Sequence, residues 1–476
     1  MRIDFIGHAS LLIRSGDLSL ITDPWWVGPA YQAQWFAWPF PVPERYELAR
    51  LDAIFISHGH EDHLHGPTLQ SLSKSATVIL PRSYDAGNLT YLGRLGFRRV
   101  EEVAGGHSIS LQRGGAELRL TVLTYLGDAI VAVEADGQVL LNVNDALHCA
   151  RDEVIDEYCR VLARRFARID YLFCGFGGAS WFPNCFRRDG KDDVAVAERR
   201  EQLFLRKFAR IAARLAPRHA FPFAAHFVLP DERNWWISEL RLRAGPPARA
   251  LAELTRGAPV EVHDLSPGDF VEDGRVHATA RAPIEPEAVR RAVLARHPQP
   301  PRLRVDARRF ARLAERLEDR ALRNLGRVDA SPPLDAVIRL WDYPSEAVRV
   351  RLNDSGAEVA RVSPDDAERA PPQLVLETRA DLLETAVDEE YGRDQLCIGY
   401  GALVHVNSEV AARANLHERL LALVTRLPTW ADRLRHHPLR CLQYLWRDPG
   451  ARLAAMGRLT RLASRPSPVY AADDWL

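Results

Sequence analysis

Cysteine is scarce in this chain of 476 residues, and no two cysteines form a Cys-x-x-Cys pair. The six are scattered along the sequence: Cys149, Cys159, Cys174, Cys185, Cys397 and Cys441. This scatter argues against a disulfide framework and against a cysteine-based zinc or iron–sulfur site. Charge of one sign is lacking as well, because 63 basic residues balance 63 acidic ones. Without a basic run, nucleic acid is not expected as a partner.

Long apolar runs are also missing. No stretch approaches the ~18 apolar residues of a membrane span, and the start, MRIDFIGHASLLIRSGD, lacks the apolar core of a signal peptide. We therefore expect a soluble, cytoplasmic protein without a membrane span that acts on a small molecule. The length exceeds what one compact core usually holds, so two or three domains are expected.

Strand and helix patterns divide the chain into four parts. Residues 1–280 alternate mostly continuous apolar strands with helices, which predicts a layered α/β domain. The Pro- and charge-rich stretch 281–302 marks a boundary, so 281–329 is predicted to be a linker and a helix. Strand patterns return in 330–407, predicting a smaller α/β module, and 408–476 are predicted to form a helical tail.

An aromatic loop, WWVGPAYQAQWFAWPFPVP, occupies residues 25–43 and contains four tryptophans and four prolines. It has no helical period, and an ordinary surface loop would not hold so much aromatic area. Two interpretations stay open: the loop caps a hydrophobic core, or it forms one wall of a pocket. On the second interpretation, Trp25 and Trp26 would contact substrate or support a nearby site.

Histidines are concentrated in ISHGHEDHLHG, residues 56–66, directly after the apolar run LDAIFI. Histidine is the commonest transition-metal ligand, and a carboxylate among imidazoles completes such a coordination shell. The spacing lets one pair of side chains converge on one point and a second pair on a neighbouring point. We therefore predict two adjacent metal ions, with ligands His58, His60, Asp62 and His63. His65 and Glu61 are expected to be bystanders, with Glu61 solvated.

This stretch resembles the signature of the metallo-β-lactamase superfamily. The flanking IGHASLLIRSGDLSLITDPW is similar to a branch of metal-dependent hydrolases with a GH near the start and a DP after the third strand. The resemblance covers residues 1 to about 270. It implies an αββα sandwich that holds one or two metals. Further ligands would follow later strands: a histidine, then a bridging acid, then a final histidine.

Two of these later ligands have clear candidates. Asp145 closes the strand VLLNVND and matches the bridging acid, although it could instead cap the following helix. His226 ends HAFPFAAHF and matches the final histidine; the alternative is a packed core histidine, and His219 is a rival seven residues earlier. His8 and Asp23 are expected nearby, Asp23 orienting a metal-bound imidazole. For these two, a buried structural histidine and a turn residue are the alternatives.

The remaining histidine is missing, because the strand ELRLTVLTY is followed by LGD. Tyr125, Asp128 or a water could stand at that place, although Asp128 could also belong to a plain turn. Together with Asp62, these two residues are the candidates for a catalytic role. An oxygen ligand in place of an imidazole hardens the site and favours iron or manganese over zinc.

Three segments resemble the metal-binding domain of the CMP-N-acetylneuraminate hydroxylase family: LLNVNDALHC, FCGFGGASWFPNCF and PFAAHFVLPDERNWW. LVLETRADLLETAVDEEYGRDQLCIGYGA is similar to that family's small module, which resembles sterol-carrier domains. The resemblance implies iron-dependent hydroxylation of a nucleotide-activated sugar. The family's Rieske pattern, Cys-x-His…Cys-x-x-His, has no match here. Electrons would then come from a separate electron-transfer protein, or the reaction would not need them.

Two enzymatic hypotheses follow, both with two divalent metal ions as cofactors. The first is a dinuclear-iron oxygenase resembling the sugar-nucleotide hydroxylases. The second is a zinc or manganese hydrolase of a phosphoester, lactone or amide, in which metal-bound hydroxide attacks the substrate. A third class, a binding or lipid-carrying module with a decayed site, is disfavoured by the intact histidine cluster.

Overall fold

A computed structural model describes residues 1–82, 87–125, 127–178, 181–280, 284–298 and 304–427. None of the helices in these ranges is long and apolar enough to cross a membrane. The strands are, in chain order, β1 (Arg2–Gly7), β2 (Ser10–Ser15), β3 (Leu18–Thr22), β4 (Phe36–Ala37), β5 (Ala53–Phe55), β6 (Thr77–Pro81), β7 (Val100–Val103), β8 (Ser108–Arg113), β9 (Ala116–Tyr125), β10 (Asp128–Ala135), β11 (Gln138–Asn144), β12 (Tyr171–Gly175), β13 (Phe186–Arg187), β14 (His219–Phe223), β15 (Phe227–Val228), β16 (Glu261–Val262), β17 (Phe270–Glu272), β18 (Arg275–His277), β19 (Leu334–Leu340), β20 (Tyr343–Asn353), β21 (Gly356–Val362), β22 (Leu374–Thr378) and β23 (Ala402–Val406).

The helices lie between these strands and after the last of them. They are α1 (Gly66–Ser71), α2 (Gly87–Arg94), α3 (Asp152–Arg165), α4 (Asp193–Leu215), α5 (Trp235–Ala244), α6 (Pro247–Leu254), α7 (Pro286–Arg296), α8 (Ala307–Asn324), α9 (Pro364–Arg369), α10 (Ala380–Asp388), α11 (Arg393–Cys397), α12 (Glu409–Arg413) and α13 (Leu416–Val424).

Two sheets form the centre of the amino-terminal part. The first has the strand order β18-β17-β1-β2-β3-β5-β6-β7, and the second has the order β16-β14-β12-β11-β10-β9-β8. Apolar side chains of both sheets meet in one buried core, with Phe5 on one side and Leu120 and Phe173 on the other. The continuous apolar runs of the central strands are thereby explained, because strands such as β2, β5 and β12 are buried on two faces.

Helices cover the outer faces of both sheets. Leu69 of α1 and Leu92 of α2 pack on the outside of the first sheet, while Ile155 of α3 and Phe208 of α4 pack on the second. The layers therefore run helix, sheet, sheet, helix, and the expected αββα sandwich is confirmed.

A third sheet, ordered β13-β23-β22-β19-β20-β21, belongs mainly to the carboxyl-terminal part. Its edge strand β13 comes from residues 186–187, inside the range predicted for the first domain, and pairs in parallel with β23. The predicted linker contains two helices rather than one. Val289 and Val293 of α7 are buried against Trp235, which explains why this Pro-rich stretch still forms a helix.

The first part of the region predicted as a helical tail belongs to the hydrophobic core of the carboxyl-terminal module. Leu416 and Leu420 of α13 are buried in a cluster that also contains Phe310 of α8 and Leu376 of β22. Residues 428–476 of the predicted tail lie outside the described residues.

Candidate metal centre

Polar side chains follow several strands at one edge of the sandwich. His8 comes after β1, Asp23 after β3, and Asn144 and Asp145 end or follow β11. Strands β1, β3 and β5 run in one direction, so their carboxyl ends meet at this edge. His8, Asp23 and Asn144 have left-handed backbone conformations, with φ of 46°, 38° and 52°. Such conformations are costly for residues other than glycine and concentrate at functional sites.

The loop after β5 holds the histidine cluster. His58 Nε2 and His60 Nδ1 lie 2.8 Å apart, and both belong to side chains that reach the same point. Asp62 and His63 occupy the next turn and are buried, with 2% and 0% of their surfaces exposed. The loop ends at α1, where His65 accepts a hydrogen bond from the Thr68 backbone N–H. His65 is therefore a capping residue, and burial lowers its pKa to about 4.

Two groups of three potential ligand atoms overlap at His63. One consists of His8, Asp62 and His63, the other of His58, His63 and Asp145, and within each group the atoms lie within 4.8 Å of one another. His63 Nε2 is 3.2 Å from Asp62 Oδ2 and 3.5 Å from Asp145 Oδ2. Ligand atoms bound tetrahedrally at 2.0–2.1 Å would be roughly 3.3 Å apart. The separations therefore fit a bound cation.

The bonding of His63 also fits a cation. Its Nε2 atom is buried and, apart from the ion-pair contacts with Asp62 and Asp145, has no hydrogen-bond partner among the described residues. An imidazole nitrogen has one lone pair and can bind only one ion, whereas a carboxylate has two oxygens and can bridge two. The arrangement is compatible with one ion at His58 and His60 and a second at Asp62 and His63, with Asp145 between them.

A hydrogen-bond network behind the ligands fixes their orientation. Asp23 Oδ1 accepts a hydrogen bond from the Ser57 backbone N–H at 2.7 Å, and Asp23 Oδ2 accepts one from the Asn144 side-chain amide at 2.5 Å. The same Oδ2 lies 3.2 Å from His63 Nδ1, on the side of the ring opposite Nε2. Ser57 Oγ lies 2.9 Å from His58 Nδ1. Such contacts leave the opposite Nε2 atom of each ring for a metal.

Asp62 is held by two further side chains. The Tyr31 hydroxyl donates a hydrogen bond to Asp62 Oδ1 at 2.6 Å, and His8 Nε2 lies 3.0 Å from Asp62 Oδ2. Burial alone would raise the pKa of Asp62, but attraction to His63 and the contact with His8 outweigh it and hold that pKa well below its usual range. Burial together with Asp62 raises the pKa of Tyr31 well above its usual value, so the phenol remains a donor.

His63 is shifted in the opposite direction. Burial would lower its pKa, but the carboxylates of Asp62, Asp145 and Asp23 outweigh burial and raise it well above the usual value. Without a metal, these carboxylates favour the protonated form of His63. Burial and the neighbouring histidines lower the pKa of His58 well below its usual value, so His58 stays neutral. A metal would take the place of the His63 proton.

Asp128 faces the same centre from the β9–β10 hairpin. The register of β10 and β11 pairs Val131 with Asn142, which brings Asp128 close to the level of Asp145. Burial raises the pKa of Asp128, while His60 lowers it in part. Tyr125 pairs with Asp128 across the hairpin, but its ring packs on Tyr158, with centroids 5.7 Å apart. Of the two catalytic candidates in this hairpin, Asp128 is the one close enough to the predicted metal ligands for their charges to shift its pKa.

The other predicted site residues surround this centre. His226 follows β14, and its ring packs against Phe5 and Phe176 at centroid distances of 5.2 and 5.5 Å. It belongs to neither group of three, and its role as a ligand stays a prediction. His219, its rival, lies at the opposite end of β14.

The two tryptophans at the start of the aromatic loop differ in position. The Trp25 ring is buried and packs edge-on against His8, with centroids 4.9 Å apart. Trp26 packs against the outer core of the first sheet, and its backbone N–H donates to Thr68 Oγ1. Trp25 therefore supports the centre, and Trp26 supports the layer outside it.

The carboxyl-terminal module borders the centre. The Gln395 side-chain amide donates to Glu61 Oε2 at 3.2 Å, so Glu61 is partly buried and not solvated as expected; burial raises its pKa. The Gln34 amide donates to the Gln395 carbonyl at 2.9 Å. A Cβ atom at Gly399 would lie 2.7 Å from the Gln395 backbone carbonyl oxygen, so this close approach requires glycine.

Comparison with known proteins agrees with this geometry. Residues 2–146 match a family model described as a beta-lactamase superfamily domain, and this range contains His8 and every predicted ligand except His226. The amino-terminal part of the chain is therefore similar to β-lactamase superfamily domains. The expected resemblance to that superfamily is thereby confirmed.

Curated relatives of this chain include a hydroxylase and an iron–sulfur protein. The cytidine monophosphate-N-acetylneuraminic acid hydroxylase of Mus musculus is 30% identical over 294 residues, which cover 58% of this chain and 48% of the relative. A Mycobacterium tuberculosis protein named as a Rieske 2Fe-2S iron-sulfur protein is 28% identical over 248 residues, which cover 49% and 46%. The chain therefore spans about half the length of the curated relatives it matches.

Solved structures similar to this chain include an isothiocyanate hydrolase from Delia radicum gut bacteria. It is 11% identical, with a TM-score of 0.38, and the match covers 57% of this chain and 99% of that one. The Rm3 metallo-beta-lactamase is 15% identical, with a TM-score of 0.22, and the match covers 36% and 73%.

Four residues around the candidate metal centre were not predicted from the sequence. Asn144 stands next to the predicted Asp145, and Ser57 next to His58, so a search of the ligands' neighbours could have found both. Tyr31 lies in the aromatic loop and is brought to Asp62 by left-handed backbone at residues 31–33. Gln395 carries no local signal, because it approaches only through the packing of the carboxyl-terminal module.

A cavity of about 770 Å³ opens beside the predicted ligand His226. Trp38, Phe176 and Phe227 supply aromatic walls, and Arg241 supplies a cation. The Arg241 guanidinium is paired with Glu201 at 2.9 Å and also donates to the Gly178 carbonyl. The aromatic loop thus serves both expected roles: Trp35 is buried in a core, and Trp38 lines the cavity.

Proposed function

We propose that this chain is a metal-dependent oxygenase with two iron ions, related in chemistry to the sugar-nucleotide hydroxylases. The similarity to the β-lactamase superfamily and the hydroxylase among the relatives indicate an enzyme, either an oxidoreductase or a hydrolase. The observation that carries the oxygenase is the donor set, in which Asp62 and Asp145 stand within the groups of three and Asp128 faces them. Carboxylate-rich sites favour iron or manganese over zinc.

One ion would be held by His58, His60 and Asp145, and the other by Asp62, His63 and Asp145, with His8 or His226 available to complete it. Bound iron would supply the binding and activation of dioxygen. The chain's own residues would hold the ligands in place: Asp23 orients the His63 ring, and Tyr31 orients the Asp62 carboxylate. A fixed ligand geometry keeps the site open on the substrate side.

The substrate would enter the cavity beside His226. Its aromatic walls suit a planar or apolar part of a ligand, and the ion pair of Arg241 with Glu201 suits a polar part. The mouse relative's name supplies cytidine monophosphate-N-acetylneuraminic acid as the first compound to test. Some relatives are named as Rieske iron–sulfur proteins. This supports the proposal that a separate iron–sulfur protein supplies the electrons.

The experiment is anaerobic purification followed by metal analysis and an assay of oxygen consumption. We expect two irons per chain, and substrate-dependent oxygen uptake when a ferredoxin and its reductase are supplied. Asp145→Asn should abolish the uptake, because the Asp145 carboxylate would help to hold the metal ions. His107→Ala, which alters an exposed histidine, should leave it unchanged.

A different outcome would select the hydrolase. Two zinc or manganese ions per chain, together with hydrolysis of a phosphodiester, lactone or amide and no oxygen uptake, would contradict the oxygenase. The same Asp145→Asn and His107→Ala variants would then show whether the hydrolysis belongs to this centre.

A further inference from the structure

A second group of potential ligands lies at the other end of the second sheet. His219 begins β14, Glu261 begins the edge strand β16, and His263 follows that strand. The register pairs His219 with Glu261, and side chains two residues apart on a strand point to the same face. The pattern Glu-x-His on an edge strand beside a histidine therefore brings three donors together.

The distances within this group are those of a coordination shell. His219 Nδ1 is 3.1 Å from His263 Nε2 and 3.2 Å from Glu261 Oε2, and His263 Nε2 is 3.6 Å from the same oxygen. Ligand atoms at 2.0–2.1 Å from a tetrahedral ion would be roughly 3.3 Å apart. The three measured separations, 3.1, 3.2 and 3.6 Å, are close to that value, so the three atoms could bind one ion.

The tautomer of His219 is also the one that a metal requires. His219 Nε2 is 3.2 Å from the Gly274 carbonyl, which can only accept, so the proton is on Nε2. Nδ1 therefore presents its lone pair to His263 and Glu261. A single proton on His263 could satisfy that lone pair, but the Glu261 carboxylate would still face it. A cation at the common centre satisfies all three atoms.

We propose that His219, Glu261 and His263 bind a late first-row transition-metal ion, with zinc as the reference case. Two imidazoles and one carboxylate are a donor set that zinc accepts, and water would complete the tetrahedron. The site lies at the opposite end of β14 from the catalytic centre, roughly 13 Å along the strand. It is independent of the proposed oxygenase function.

Such an ion would tie together three elements. It would join the two-residue edge strand β16 to β14, and the His219–Gly274 contact would extend the link to the hairpin of β17 and β18. Because β17 and β18 belong to the first sheet, the ion would connect the two sheets at this end of the sandwich. Its role would be structural.

The test uses the full chain and zinc alone. Metal-free protein is titrated calorimetrically with zinc, and crystals grown with zinc are measured at the zinc absorption edge. We expect an anomalous peak between His219 and His263, and one equivalent of zinc more in the wild type than in His263→Ala. Glu261→Gln, which changes an exposed side chain, should weaken that equivalent at least tenfold.

Two controls keep the result interpretable. His107→Ala should bind as much zinc as the wild type. If His263→Ala does not fold, Glu261→Gln carries the comparison, since Glu261 is exposed. The proposal is overturned if the peak is missing while the His58 and His63 centre is loaded, or if both variants titrate like the wild type.

Discussion

Replacing Tyr31 by phenylalanine removes one hydrogen bond and little else. The hydroxyl donates to Asp62 Oδ1 at 2.6 Å, and both residues are almost fully buried. Asp62 is ionised, because neighbouring histidines hold its pKa well below the usual range. The substitution therefore leaves a buried carboxylate with one donor fewer, next to the proposed second ion.

The size of the effect follows from the charge on Asp62. A hydrogen bond to a charged group contributes about 1.5–3 kcal/mol, so Tyr31→Phe should lower the free energy of unfolding by about that amount. Because the lost hydroxyl orients a predicted metal ligand, we expect the second ion to bind roughly 10- to 100-fold more weakly, as for other changes behind metal ligands.

The assay is chelator competition for iron(II) under anaerobic conditions, together with urea unfolding. Tyr400→Phe is the matched control, because the buried Tyr400 hydroxyl donates to the neutral Gly178 carbonyl at 3.0 Å. The control should lose about 0.5–1.5 kcal/mol of unfolding free energy and keep its metal affinity. The reasoning is refuted if Tyr31→Phe binds metal as tightly as the wild type, or if Tyr400→Phe is weakened equally.

Three further predictions concern the centre and the loop beside it. Asp128→His should raise the ratio of zinc to iron in protein purified from the same medium, because an imidazole replaces a carboxylate; an unchanged ratio would remove Asp128 from the centre. The His63 pKa is raised in the metal-free protein; its contribution to stability is therefore complete below about pH 6.5 and is lost as pH rises through the raised value. Because the metal must expel that proton, its affinity should strengthen by up to about tenfold per pH unit until the pH reaches the raised pKa, and a flat profile in chelator competition would contradict this. Trp35→Ala should lower the unfolding free energy by about 3–5 kcal/mol, since the buried ring stacks on Phe227 at 3.6 Å; a loss below 1 kcal/mol in urea unfolding would show that this stack is dispensable.

The histidine loop and its strand were predictable from sequence because the signal is local. His58, His60, Asp62 and His63 lie within six residues, and the apolar strand before them orients the loop. Asp145 was predicted by the same rule, that ligands follow strands. The αββα layers were also predictable, since continuous apolar strands alternating with helices leave few other arrangements.

Contacts between distant parts of the chain were not predictable in this way. Gln395 approaches Glu61, and Gln32 donates to Thr385 at 2.7 Å, across more than 300 residues of sequence in both cases. Strand β13 pairs with a sheet that begins about 150 residues later. These contacts depend on how the module packs, and no periodicity or spacing encodes that packing.

Diffraction at the iron absorption edge, from crystals loaded anaerobically with iron(II), tests the two-ion centre most directly. The account predicts two anomalous peaks on either side of Asp145, one against His58 and His60 and the other against Asp62 and His63. A single peak, or two peaks without Asp145 between them, would contradict it.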